Sequence, residues 1–357
     1  MSDLQADVGL LVDEQRLPRR MTPRQRAWRR FKNNRRGYVS LWLFSILFIL
    51  SLFAEVLSND EPLLVHYEGE YYVPLLVDYP ETAFGGVFES EADYLDPFVK
   101  ERITEGENWA VYPPNPFSFN TINYYSPLPN PAPPSEHNLP GTDVRGRDLL
   151  ARLVYGFRIS VIFALGLTAV GTAIGILAGA LQGYFGGRLD LFAQRLIEIW
   201  NSMPELYLLI IFASIFEPSI LLLIVLLSLF GWMGLADYVR AEFLKGRNMD
   251  YVTAARAMGL SNRYIMARHL LPNAMTPVIT FLPFRISGAI MALTSLDFLG
   301  LGVPPSTPSL GELLAQGKDN IDAWWLSMTT FLVLVGTLVL LIFIGEALRE
   351  ALDTRRG

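Results

Sequence analysis

The 357-residue chain is 51% hydrophobic and only 18% charged, against about 25% charge in soluble domains; this excludes a disordered chain and argues against an ordinary cytosolic enzyme. It carries no cysteine and three scattered histidines, His66, His137 and His269. That leaves no disulfide framework, no thiol nucleophile and no histidine-built metal or catalytic centre, and the net charge of −6 speaks against nucleic acid as a partner.

The charge is segregated along the chain. Residues 1–37 are basic, with Arg16, Arg19, Arg20, Arg24, Arg26, Arg29, Arg30, Lys32, Arg35 and Arg36 facing few acids. Arg29 and Arg30 beside Trp28 and Phe31 suit a helix at a membrane boundary; contact with a partner subunit is the alternative. An apolar run follows over 38–57, Tyr38 to Leu57. About twenty apolar residues cross a bilayer core. The leader and the run are too long for a cleaved signal, so an uncleaved first span is expected.

Residues 58–157 are a different material, rich in Pro, Tyr, Asp and Glu. Pro113, Pro114, Pro116, Pro127, Pro129, Pro131, Pro133 and Pro134 exclude a long helix there. Aromatics such as Tyr71, Phe84, Trp109 and Phe117 predict a folded or partly extended insert rather than a linker. It acts as a docking or shielding surface, or braces the first two spans.

Region 158–348 is a five-helix core, with apolar stretches at 159–181, 191–216, 219–238, 275–296 and 325–344. With the first run this makes six transmembrane helices, an all-α integral membrane protein with an insert between helices 1 and 2. Lys and Arg concentrate in the first tail, near Arg188, in the loop from Arg240 to Arg268 and in the tail 349–357. All fall on one face, which places both termini in the cytoplasm and the insert outside.

Two charges lie inside the spans, where a lone charge costs at least about 2.5–3.5 kcal/mol. Glu205 follows Pro204, whose ring predicts a kink; Arg285 sits in the fifth span. At ~1.5 Å per residue they lie about 22 and about 18 Å from the starts of their spans. They are therefore expected to meet beside a transport pathway that Met203 and Pro204 also line. The alternative is that each faces a wet cavity separately.

The loop 240–273 is too polar to span and too periodic for plain loop. Tyr251, Ala254, Ala255 and Met258 recur at helical spacing, Gly259 stops that helix, and Ser261 is placed to cap a second helix, Asn262–Leu271, which Pro272 ends. Small residues at 254 and 255 allow a partner surface to approach closely. By spacing alone, an amphipathic hairpin lying at the lipid interface fits equally well.

The pattern Ala254-Ala255-x3-Gly259, with Ile265 and then Leu271-Pro272, resembles the EAA loop of permease subunits in binding-protein-dependent ABC importers; Thr253 stands where the family has its acid. Pro140-Gly-Thr-Asp-Val-Arg-Gly-Arg-Asp148, Arg152, Tyr155-Gly156, Gly183-Tyr-Phe-Gly-Gly-Arg-Leu-Asp190, Ser295-Leu-Asp-Phe-Leu-Gly-Leu-Gly302 and Pro308-Ser-Leu-Gly-Glu312 resemble the C-type permease subunit of dipeptide and oligopeptide importers. The long acidic insert is similar to that of the Yej-type permease, linked to peptides and microcin C. The resemblance implies a type I importer core in a bacterial inner membrane, with a periplasmic insert and peptides as substrate. Its implied partners are a second homologous permease, ATP-binding subunits and a periplasmic solute-binding protein. Tyr251, Thr253, Ala254, Ala255, Met258, Gly259, Leu271 and Pro272 become the residues coupled to the ATPase. The chain has no Gly-x4-Gly-Lys-Ser/Thr pattern, since Asp319 follows Gly317-Lys318. ATP and Mg are thus expected in the partner, and this chain is expected to be non-catalytic, with neither cofactor nor metal. A secondary transporter or channel subunit is the alternative; it needs no cytoplasmic hairpin, and the inverted repeats common in such folds are not evident.

Overall fold

The computed structural model describes residues 22–122, 124, 128–136 and 138–353. Arg16, Arg19, Arg20, Pro127, His137, Arg355 and Arg356 lie outside the described residues.

Helix α1, Pro23–Asn33, opens on a reciprocal cap. Gln25 N–H donates to Thr22 Oγ1 at 3.3 Å and Thr22 N–H to Gln25 Oε1 at 2.9 Å. Only part of its aromatic face suits a membrane boundary. Trp28 is exposed, whereas Phe31 is buried against Ala347 and Ala351 of the last helix. Arg30 donates to Asp353 O at 2.9 Å and Asn34 to Glu350 Oε2 at 2.7 Å, so α1 is bound to the chain's far end. Helix α2, Arg35–Leu52, carries the first apolar run, and a short α3, Ala54–Leu57, follows it.

The insert corrects the all-α expectation. Strands β1 (Leu64–Tyr67), β2 (Glu70–Tyr72) and β3 (Trp109–Val111) form an antiparallel sheet in the order β2-β1-β3. Val65 faces Tyr72 on one side and Ala110 on the other. The tight turn between β1 and β2 uses Glu68 and Gly69 at φ +50° and +87°, the left-handed pair that matches strand twist. Val65, Tyr67, Phe84, Tyr94, Val99 and Ile103 fill a separate small core. Helix α4, Pro97–Arg102, has Asp96 as its N-cap and Pro97 in its first turn.

Helix α5 runs from Leu149 to Phe185, so it starts within the region assigned to the insert. Asp148 caps it, accepting from Ala151 N–H at 2.8 Å. The third apolar stretch is a broken helix. Helices α6 (Gly187–Asn201) and α7 (Glu205–Ile215) meet at 66°, and α8 (Ile220–Gly231) and α9 (Met233–Gly246) at 41°. Helix α10, Asp250–Ala257, and a single turn α11, Asn262–Tyr264, lead to α12, Leu271–Phe298. Helices α13, Leu310–Asp319, and α14, Trp324–Leu352, complete the chain. By length and composition four helices can cross a membrane, or up to six if each bent pair is one span.

Helix α5 packs along α9, α12 and α8, while α14 gathers α2, α12, α13 and α1. Gly171, Gly175, Gly179 and Gly183 recur every fourth residue and form a stripe along one face. A Cβ on Gly179 would lie 2.4 Å from Ala236 O, and one on Gly183 would lie 2.5 Å from Arg240 O. The backbones of α5 and α9 touch, as small-residue stripes allow between membrane helices.

Candidate functional site

The loop 240–273 folds as a hairpin with one correction. Helix α10 ends in a Schellman motif: Gly259 N–H donates to Arg256 O at 3.0 Å and Leu260 N–H to Ala255 O at 3.2 Å. Gly259 sits at φ +79°. Ser261 then caps the next helix, accepting from Tyr264 N–H at 3.4 Å. Pro272, however, does not end that helix. Residues Ile265–Leu270 take π geometry, with Leu271 N–H bonded to Met266 O five residues back, and α12 continues with Pro272 in its first turn. The wider turn accommodates the proline ring and its missing N–H, which a regular α-helix interior does not.

The hairpin has two faces. Ala255 and Val252 are buried with Phe243, Ile265 and Leu270. The small size of Ala255 therefore serves the hairpin's own packing, while Ala254 stays exposed. Tyr251, Thr253 and Met258 share the outer surface, with Met258 74% exposed. The Tyr251 hydroxyl accepts from Asn273 Nδ2 at 3.3 Å, tying α10 to the start of α12. Leu271 is half-buried and Pro272 exposed. Tyr184 of α5 donates to Asn262 Oδ1 at 2.7 Å, and Arg240 holds Asp190 through two bonds of 2.5 and 2.7 Å. The hairpin thus rests on α5 and α9, and α9 is tied in turn to α6.

Glu205 and Arg285 do not meet: among the described residues no ion pair joins them. Pro204 is the N-cap of α7 and Glu205 its first residue, exposed near the positive end of the helix dipole; Met203 is half-buried in the bend. Arg285 donates instead to Gly231 O at 2.9 Å. That carbonyl is freed where α8 breaks from α9, and a cation at a helix C-terminus satisfies both the oxygen and the dipole. Trp200 and Trp232 both donate to the neighbouring Leu229 O, at 3.1 and 3.0 Å. The break is thus solvated by side chains, as irregular backbone at membrane depth must be.

The remaining motif residues form a buried polar cluster at the opposite end of α5, a grouping that the sequence pattern contained without indicating the contact. Arg147 bonds Asp143 at 2.6 Å and Glu312 at 3.3 Å. Arg152, fully buried, also bonds Glu312 and reaches Thr307 O at 3.3 Å. Asp148 accepts from Asn115 and Asn138, each at 2.8 Å. Asp297 accepts from Ser309 and from Val303 N–H. The insert, the start of α5 and the α12–α13 loop are locked together here.

Residues 171–357 match the family described as binding-protein-dependent transport system inner membrane component. Residues 22–72 match the N-terminal TM domain of oligopeptide transport permease C. The chain is 52% identical to the inner membrane ABC transporter permease protein YejE of Escherichia coli (strain K12), covering 95% of this chain and 99% of that one. It is 49% identical to the peptidoglycan transport system permease protein YejE of Agrobacterium fabrum, covering 93% of each. It is 29% identical to the dipeptide transport system permease protein DppC of Lactococcus lactis, over 93% of this chain and 90% of that one. With its broken helices, its hairpin and its end-to-end match to such relatives, the chain belongs to the binding-protein-dependent inner-membrane permeases, in their Yej-type ABC branch.

Proposed function

We propose that the chain is the membrane subunit of an ATP-driven importer of peptides, including peptide-bearing conjugates of the microcin C kind. The observation that carries this is the full-length match to Yej-type permeases, whose wider relatives are named for dipeptide and oligopeptide transport. Each bent pair counts as one span, giving six. The insert lies on the periplasmic side, where a solute-binding protein docks, and both termini lie in the cytoplasm. The exposed Tyr251, Thr253, Ala254 and Met258 face of the hairpin docks on an ATP-binding subunit, which supplies ATP and Mg. A second homologous permease completes the pathway, lined near the α6–α7 bend by Met203, Pro204 and Glu205. Closure of the ATPases moves the hairpin, and α12 moves with it.

The test is a Gly259 series in the assembled importer. A Cβ at Gly259 meets no atom of this chain within 4 Å, so within the chain a substitution acts first through φ, at about 1–2 kcal/mol for the left-handed conformation. Gly259→Asn, which tolerates that region, retains most transport; Gly259→Asp loses more; Gly259→Val loses most. Ligand-stimulated ATPase activity falls in the same order while membrane insertion stays normal. Equal transport across the series refutes the coupling role.

Sidedness has its own test. With no native cysteine, Glu89→Cys reacts with a membrane-impermeant thiol reagent in right-side-out vesicles, and Arg263→Cys does not. The reverse pattern overturns the orientation.

A further inference from the structure

Outside the hairpin and the spans, the insert gathers an acidic group. The carboxylates of Glu61, Asp78 and Glu91 each offer an oxygen, and all three oxygens lie within 4.8 Å of one another. They come from three chain segments. Glu61 leads into β1, while Asp78 and Glu91 are brought together by backbone pairing, with Ala92 N–H on Tyr79 O at 3.0 Å and Glu81 N–H on Ser90 O at 2.9 Å. Among the described residues none of the three forms an ion pair. Glu61 and Glu91 border a cleft of about 300 Å³ lined also by Asp60, Asp93 and Tyr94.

A second observation is independent of the acids. Tyr94 is 4% exposed, and its hydroxyl is buried with no hydrogen-bond partner. The tyrosine lines the same cleft, and Glu61 and Glu91 are the charges that act on it most strongly. A buried phenol without a partner costs the desolvation of its O–H.

We propose that the insert binds a calcium ion through Glu61, Asp78 and Glu91, with the Tyr94 hydroxyl bonded to the ion's water shell. Calcium takes oxygen ligands at about 2.3–2.6 Å, so two ligands of one ion stand at most about 5 Å apart, as these three oxygens do. Three carboxylates also exceed what one ammonium group of a protein partner needs, which favours a divalent ion. Asp60, Asp93, Tyr94 and Tyr124 are the other titratable groups that line this cleft.

The experiment uses the full chain in detergent, stripped with EDTA. Terbium luminescence excited through the aromatic residues reports occupancy, calcium displaces the terbium, and thermal unfolding is followed with calcium and with EDTA. Calcium raises the unfolding midpoint of the wild type by several degrees, and magnesium raises it less. Glu61→Gln and Glu91→Gln weaken terbium binding at least tenfold, whereas Glu101→Gln, an exposed acid elsewhere in the insert, leaves it unchanged. At pH 8 in EDTA the Glu61→Gln chain is at least as stable as the wild type, because a repelling charge is gone, yet it gains nothing from calcium. That combination separates a lost site from a misfolded insert. Equal terbium binding by wild type and the Glu61→Gln/Glu91→Gln double variant, or no calcium-dependent shift in the wild type, overturns the site.

Discussion

Glu312→Gln is expected to destabilise the chain by about 3–5 kcal/mol, the cost of removing one partner from a buried charge network. Glu312 neutralises both Arg147 and Arg152, whose side chains are 4% and 0% exposed. Asp143 remains for Arg147. Arg152 keeps only carbonyl acceptors, Thr307 O at 3.3 Å and Phe119 O at 3.5 Å, and its Nε is already unpartnered. The variant should show a lower unfolding midpoint and less monodisperse protein after extraction. Adding Arg152→Met should recover part of the loss, since an apolar side chain of similar length leaves no stranded charge. Glu198→Gln is the contrast: its Arg195 partner is 73% exposed, and such surface pairs contribute at most about 1 kcal/mol. Equal effects from the two substitutions would contradict the buried network.

Gly179→Leu is expected to separate α5 from α9. Even the first added carbon would sit 2.4 Å from Ala236 O, 2.8 Å from Val239 Cβ and 3.0 Å from Arg240 N. Two of these are backbone atoms, which cannot step aside by changing rotamer. Overpacking against side chains alone costs about 1–3 kcal/mol, and this contact exceeds that range. Because α9 carries Phe243, which packs against the hairpin, and Arg240, which ties α9 to α6, transport should be lost even in protein that still inserts. Gly234→Ala provides the control. Its Cβ would meet nothing within 4 Å, so helix propensity makes it neutral or stabilising by up to about 1 kcal/mol. Near-wild-type transport by Gly179→Leu, measured in proteoliposomes, would refute the close approach.

The apolar runs were legible because hydrophobicity over twenty residues is a strong signal, and the kink at Pro204 because proline cannot continue a helix. The hairpin was legible for the same local reasons: Gly259 at its turn and Ser261 at its cap. What escaped notice depended on partners. Pro272 looked like a terminator because nothing local announces a π turn. The strands escaped because three or four residues are too few for a pattern. The early start of α5 was hidden by its polar first turns, where Arg152 and Tyr155 serve the buried cluster rather than a bilayer. The proposed meeting of Glu205 and Arg285 rested on depth alone. Depth fixes height along a helix but not direction around it, and the bend at Trp232, which has no proline to betray it, supplied Arg285 with a carbonyl instead.

The π turn between α11 and α12 makes the hairpin and the fifth apolar stretch one rod. From Asn262 to Phe298 there are 37 residues, about 55 Å at 1.5 Å per residue. A flexible tether would absorb a push at one end. A hydrogen-bonded rod cannot lengthen or shorten without breaking its ladder, so displacement at the hairpin must reappear as tilt or axial rotation at the far end. The rod can change its winding at Ile265–Leu270, by exchanging five-residue for four-residue hydrogen bonds, and it can bend at Pro277 and Pro283, where the ladder lacks an N–H. The element thus resembles a crankshaft with a slip joint at its hairpin end and two flexures further along.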